Sequence, residues 1–167
     1  MKTWSTSIRA FVFFTILTGA VYPLLVTTVG KTLFPAQADG SLIYRSGQLV
    51  GSELLGQNFE KPEFFHGRPQ ETTNLSPKSD KLLKTVADRE KNGDVAERRY
   101  GSVSSLDPDI SLEAALAQVD RVAYARRLEP KLIDILVHQN VTESDFGFLG
   151  EARINVLKLN LKVEELK

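Results

Sequence analysis

Apolar positions follow two regimes along this chain. From Ala10 to Gly30 the stretch AFVFFTILTGAVYPLLVTTVG holds no charged side chain, whereas beyond Asp39 apolar residues recur only at short helix-like or strand-like intervals. About 20 apolar residues at about 1.5 Å each cover the roughly 30 Å hydrocarbon core of a bilayer, so the run is read as one membrane-crossing helix. Lipid offers no hydrogen-bond partners, which makes a helix the single-span solution. Trp4 and Tyr22 are of the types that favour membrane interfaces, Lys2 and Arg9 precede the run, and Lys31 closes it. Pro23 removes one donor and is expected to kink the helix. A cleaved secretory signal is the rival reading, with Lys2 and Arg9 as its charged head and Ala36-Gln37-Ala38 as a small-x-small cleavage site. Signal cores run about 7–15 apolar residues, so the length favours a retained anchor.

The expected organisation is an anchor over 1–32, with the span at about 10–30, a linker over 33–39 containing Pro35, and one domain over 40–167. Two short β-prone runs around Arg45-Ser46-Gly47 suit a hairpin in which Gly47 supplies positive φ. Ser76 as N-cap and Pro77 at the first helical position predict a helix with Leu82, Leu83 and Val86 on one face, ending at Asn92-Gly93. Residues 94–100 read as polar and irregular. Ser111 caps a second helix, whose Leu112, Ala115, Leu116, Val119, Val122 and Ala123 fall at spacings of three and four. Glu129-Pro130 opens a third, with Leu132, Ile133, Leu136 and Val137 inward. From Leu157 on, Leu157, Leu159, Leu161 and Val163 alternate with polar residues, the period of a half-buried strand. A strand at each end with helices between gives an α+β fold: one N-terminal transmembrane helix followed by a small mixed sheet with about three helices.

Charge changes the picture little. The formal net charge is zero; with Lys2 and Arg9 ahead of the span, 19 bases face 21 acids in the rest of the chain, which argues against a nucleic-acid surface. Two bases precede the span and only Lys31 follows before Arg45, which favours a cytoplasmic N-terminus and an extracytoplasmic domain. Cysteine is absent, excluding disulfides, thiol nucleophiles and thiolate metal sites.

Chemistry-bearing motifs are sparse. Neither G-x-x-x-x-G-K-[ST] nor G-x-G-x-x-G occurs, so no phosphate cradle can be located. His66 and His138 stand far apart without metal-ligand spacing; no metal site is expected, and His138 reads as a partly buried structural histidine. Asp107 and Asp109 flank Pro108 ahead of a helix and read as turn and dipole partners rather than an acid–base pair. Ser102, Ser104 and Ser105 lack a histidine partner and a G-x-S-x-G elbow. No catalytic residue is assigned; the elimination leaves an accessory protein.

Five blocks in order carry a family resemblance: Gly51-Ser52-Glu53-Leu54-Leu55-Gly56-Gln57, Phe65-His66-Gly67-Arg68-Pro69, Leu106-Asp107-Pro108-Asp109-Ile110-Ser111, Gln118-Val119-Asp120-Arg121-Val122-Ala123-Tyr124-Ala125-Arg126, and Phe148-Leu149-Gly150-Glu151-Ala152-Arg153-Ile154-Asn155-Val156-Leu157. Together, behind an N-terminal span, they resemble the C subunit of the Kdp potassium-transporting P-type ATPase. The resemblance implies a bacterial inner-membrane subunit that assembles with a potassium-channel-like subunit and an ATP-hydrolysing P-type subunit. It implies no cofactor of its own, ATP and K⁺ being handled by the complex, and the role of a catalytic chaperone that raises the pump subunit's nucleotide affinity. The chain departs from the family where a serine- and glycine-rich segment is reduced to Thr72-Thr73-Asn74-Leu75-Ser76-Pro77, and where Ser105 and Asp109 replace a glycine and a histidine.

Gln118 is the nucleotide-contact candidate that the resemblance implies; as a residue it reads rather as a helix-surface amide bonded within its domain. ATP is cytosolic while the charge bias puts the domain outside, and a direct contact excludes that orientation. The expectation is therefore a span packed on partner helices, with Thr15, Gly19 and Pro23 as contact candidates, and a domain over the channel subunit's outer mouth, where Asp107, Asp109 and Glu151 attract K⁺. Arg68 either pairs with a carboxylate of its own domain or reaches a partner. The alternative function is a tethered or secreted extracytoplasmic binding domain for a small ligand or envelope component.

Overall fold

A computed structural model describes residues 2–69, 75–91, 96–102, 104 and 106–166. The chain divides into two compact units, residues 1–52 and 53–167, and its class is mixed α+β.

The first unit is dominated by a helix over Thr3–Leu33, long and apolar enough to cross a membrane and without buried residues in its most apolar window. It consists of α1 (Lys2–Ile16), a π-turn (Leu17–Val21) and α2 (Tyr22–Leu33). The π-turn lies immediately before Pro23, where the ring would otherwise meet the carbonyl one turn back. Tyr22, read as interfacial, falls near the middle of this helix. The linker contains a short helix, α3 (Pro35–Ala38), and Lys31 pairs with Asp39 at 3.0 Å. β1 (Leu42–Arg45) and β2 (Gln48–Ser52) form the expected hairpin. Ser46 and Gly47 have φ of 51° and 79°, the two positive values of a type I′ turn. Val50 is the extra residue of a bulge, since Ile43 pairs with Gly51 and Tyr44 with Leu49.

In the second unit β3 (Asp109–Ser111) runs antiparallel to β4 (Arg153–Asn155), with Ile110 opposite Ile154. Both isoleucines enter a core with Phe65, Ala114, Ala115, Val122, Ile133, Val137, Leu159 and Val163. The helices are α4 (Asp80–Lys91), α5 (Ala96–Arg99), α6 (Leu112–Leu116), α7 (Val119–Arg126), α8 (Pro130–Gln139) and α9 (Val156–Glu165).

The C-terminal alternation misled: Leu157 to Val163 is helix, and the strand is confined to Arg153–Asn155. Asn155 decides this, because its side chain accepts a hydrogen bond from the Lys158 N–H at 3.1 Å and caps α9. The buried residues of α9 are Val156, Leu157, Leu159, Asn160 and Val163, a face spaced by three and four that the sequence carries alongside its period of two.

Other boundaries shift for local reasons. The helix expected from Pro77 begins at Asp80, because Ser76 closes a turn instead: its carbonyl accepts from the Ser79 N–H at 2.8 Å and its hydroxyl from the Lys78 N–H at 3.3 Å. Asn92-Gly93 lies outside the described residues. On α4, Leu82 and Val86 are half-buried while Leu83 is exposed. The polar stretch over 94–100 contains the short α5, whose Arg99 pairs with Glu90 at 3.0 Å. Ser111 caps α6 as expected, accepting from the Ala114 N–H at 3.1 Å. The long second helix, however, breaks at Ala117-Gln118 into α6 and α7. On α8, Ile133 and Val137 are buried but Leu132 is 41% exposed, and the His138 side chain is 53% exposed rather than partly buried.

The core contains one polar side chain whose loss is readily measured. Asn160 is 1% exposed, and both its amide groups bond the Phe65 backbone. Asn160→Ala leaves a buried N–H and C=O unpaired and is expected to cost about 3 kcal/mol, lowering the melting temperature of the full chain in detergent by roughly 10 °C. A midpoint that does not move would contradict this assignment.

Candidate functional site

The segment Pro62–Gly67 has no regular secondary structure, yet its backbone is bound on nearly every residue. Asn160 Oδ1 accepts from the Phe65 N–H at 2.7 Å and its Nδ2 donates to the Phe65 carbonyl at 2.9 Å. Gln118 repeats the pattern one residue on, accepting from the His66 N–H at 2.8 Å and donating to the His66 carbonyl at 3.1 Å. Two side-chain amides thus do for this loop what a neighbouring strand does in a sheet. Three arginines complete the hold: Arg121 donates to the Pro62 carbonyl at 2.6 Å, Arg126 to that of Glu63 at 2.8 Å, and Arg98 to that of Gly67 at 3.2 Å. Arg126 also lies over the Phe64 ring, 5.2 Å from its centroid.

Gln118 explains the broken helix as well. At the break its backbone N–H turns to the Ala115 carbonyl, and its side-chain Nε2 donates at 3.0 Å to the Ala114 carbonyl left behind. Oε1 accepts a second bond, from Arg121 Nη2 at 2.7 Å. Two donors and two accepted bonds are the full complement of a carboxamide, and the residue is 5% exposed. Burial, and secondarily the neighbouring Arg98 charge, lower the pKa of Arg121.

The clamped loop delivers Arg68 to an open cleft of about 350 Å³ lined by Arg68, Asp107, Asp109, Ser111, Glu151 and Arg153. Arg68 pairs with Asp107 at 3.4 Å, and Asp109 with Arg153 at 3.4 Å. Asp107 also accepts from the Asp109 N–H at 3.1 Å, the turn role expected of it, and Asp109 accepts from Asn155 Nδ2 at 3.2 Å. Burial raises the Asp109 pKa above its ordinary 3.8; the Asp107 charge acts in the same direction, while Asn155, Arg153 and Lys158 oppose it.

The structure therefore brings Arg68, Asp107, Asp109 and Glu151 to one cleft and holds Gln118 in the clamp behind it. Thr15, Gly19 and Pro23 lie on the apolar helix of the other unit. Thr72, Thr73, Asn74 and Ser105, where the chain departs from the resembled family, fall outside the described residues. Sequence reasoning missed Asn160, Asn155, Arg153 and Gly56. The Gly56 N–H donates to the Leu106 carbonyl at 2.8 Å, and a Cβ there would stand 2.5 Å from the Asp107 carbonyl oxygen. Its glycine is a steric requirement, visible in advance only as punctuation. Asn155 donates to the Glu53 carbonyl at 2.8 Å and Lys158 pairs with the Glu53 carboxylate at 2.7 Å, so the first and last blocks also meet.

The five blocks are thus one assembly in space. The family described as "KdpC: K+-transporting ATPase, c chain" matches residues 4–165. The chain belongs to the KdpC family. Among relatives, the potassium-transporting ATPase KdpC subunit of Gemmatimonas aurantiaca is 42% identical over 172 aligned positions, covering 90% of this chain and 86% of the relative. That of Serratia proteamaculans is 39% identical, covering 96% and 97%, and that of Geotalea uraniireducens 41%, covering 99% of each. A KdpC-family chain is a subunit of a potassium-transporting ATPase complex, and the apolar helix fits a membrane setting.

Asp109 makes a signed pH prediction. With its pKa raised on folding, its contribution to stability is fully present below the unfolded value of 3.8 and is lost as pH rises through the folded value. Asp109→Asn removes that loss, so the variant's stability relative to the parent rises between about pH 4 and neutrality. Denaturant midpoints at the two ends measure it; a difference that stays flat or falls with pH would contradict the assignment.

Proposed function

We propose that this chain is the non-catalytic accessory subunit of an ATP-driven potassium uptake complex, stabilising the assembly and raising the ATP affinity of the ATP-hydrolysing partner. The helix is its inner-membrane anchor, with the N-terminus in the cytoplasm and the folded unit on the outer side. Its partners are a potassium-channel-like subunit and the P-type subunit. The observation that supports this reading best is the Thr3–Leu33 helix, whose most apolar window is not buried by any of the described residues. Such a surface requires lipid and neighbouring helices.

In this reading the unit over 53–167 works as a docking body. Asp107, Asp109 and Glu151 on the cleft give its rim acidic character, and carboxylates near a channel's outer mouth raise the local K⁺ concentration. Arg68 and Arg153 balance two of them, so the cleft attracts cations without holding one tightly. ATP and K⁺ turn over on the partners, and this chain acts on nucleotide affinity through the shape of the assembly.

Two measurements test the proposal. In reconstituted vesicles, omitting this chain is expected to raise the KM for ATP of the potassium-stimulated ATPase roughly tenfold, a coupling of about 1.4 kcal/mol; an unchanged KM would remove the chaperone role. Reporter fusions at the C-terminus are expected to be active only as an extracytoplasmic reporter, and activity of a cytoplasmic reporter alone would reverse the orientation.

A further inference from the structure

The π-turn leaves the Thr18 carbonyl without a donor in either helical register, beside the Gly19 carbonyl from which Pro23 withholds the N–H of the α-register. In a regular α-helix the Thr18 carbonyl accepts from the N–H of Tyr22, and in π-register from that of residue 23. Here the Tyr22 N–H is spent on the Leu17 carbonyl, and residue 23 is a proline with no N–H. The Thr18 hydroxyl does not help, since it is itself a donor, to the Phe14 carbonyl at 2.7 Å.

Position makes this consequential. Thr18 is the midpoint of the Thr3–Leu33 helix, about 22 Å from either end at about 1.5 Å per residue. On the reading that this helix spans the bilayer, the carbonyl sits where neither lipid nor bulk water offers a donor, and an unpaired carbonyl there costs several kcal/mol. Two neighbours on the same side bear on what supplies it. Thr15, one turn earlier, makes no hydrogen bond through its hydroxyl among the described residues, whereas the Thr18 hydroxyl beside it donates one turn back. Gly19 adds no bulk: a Cβ there would touch nothing within 4 Å, so this chain's own packing does not require the glycine.

We propose that the π-turn is a docking notch for a transmembrane helix of a partner subunit, which brings a neutral hydrogen-bond donor, a carboxamide or hydroxyl, to the Thr18 carbonyl at mid-membrane. Gly19 lets that helix approach closely, and the free Thr15 hydroxyl pairs with the acceptor half of the same group. The donor is taken as neutral because no acidic residue precedes Asp39, so this chain offers a buried ammonium or guanidinium no counter-charge. Pro23 is then the residue that creates the notch, by withholding the N–H that would fill it.

The test uses the full chain with a ¹³C=¹⁸O label on the Thr18 carbonyl, in vesicles alone and in the purified complex. The isotope-shifted infrared band is expected to move to lower wavenumber on assembly. Pro23→Ala supplies the missing N–H, and is expected to show the lower band already in the lone chain. It also lowers partner retention through a detergent wash about threefold, the size of one interhelical hydrogen bond in lipid. Gly19→Leu, which keeps the proline, is expected to reduce retention likewise. A band at the same position alone and in the complex, or full retention in both variants, overturns the notch. Release of the chain from vesicles by alkaline carbonate would instead overturn the spanning reading on which it rests.

Discussion

Two buried carboxamides hold the second unit in its shape. Gln118, at the N-terminal cap of α7, and Asn160, on α9, reach consecutive residues of one loop and bond the N–H and C=O of each, His66 and Phe65 respectively. A loop that passes through a core needs partners for its backbone, because a buried unpaired amide costs about as much as the hydrogen bond it lacks. Here those partners are side chains, and the consequence is geometric: Phe65 enters the core fully buried, and Arg68 emerges three residues later at the cleft.

The same constraint accounts for features that look unrelated. The helix break at Ala117-Gln118 aims the Gln118 amide at the loop while its own Nε2 repairs the carbonyl that the break exposes. Asn160 occupies a position in α9 where an apolar residue would leave Phe65 unpaired. Arginines on α5 and α7 close over the remaining carbonyls of the loop. The cleft on the other side is built more loosely, from partly exposed ion pairs each worth about 1 kcal/mol or less. A rigid back and a hydrated front suit a body that presents charge to a neighbour.

Much of this was legible in the residues. The long apolar helix, the hairpin turn at Ser46-Gly47 and the cap at Ser111 follow from local chemistry that tertiary structure did not override. The C-terminal helix was not legible, because Leu157, Leu159, Leu161 and Val163 satisfy a period of two while Val156, Leu159, Asn160 and Val163 satisfy the helical one. The tie is broken by Asn155 as a cap and by a polar residue that had no evident reason to face inward. The site was half legible for a related reason. Arg68, Asp107, Asp109 and Glu151 carry charge in recurrent blocks and could be singled out, whereas Asn160 and Gly56 act through partners distant in sequence: Phe65 is 95 positions away from Asn160.

The central claim is that the Phe65 and His66 amides are locked by Asn160 and Gln118, and native-state hydrogen exchange at those two N–H groups tests it most directly. Both are expected to exchange as slowly as the amides of the buried segments of α7 and α9, opening only when the whole unit unfolds. Exchange of either at the rate of an exposed loop amide, with the helices still protected, would contradict it.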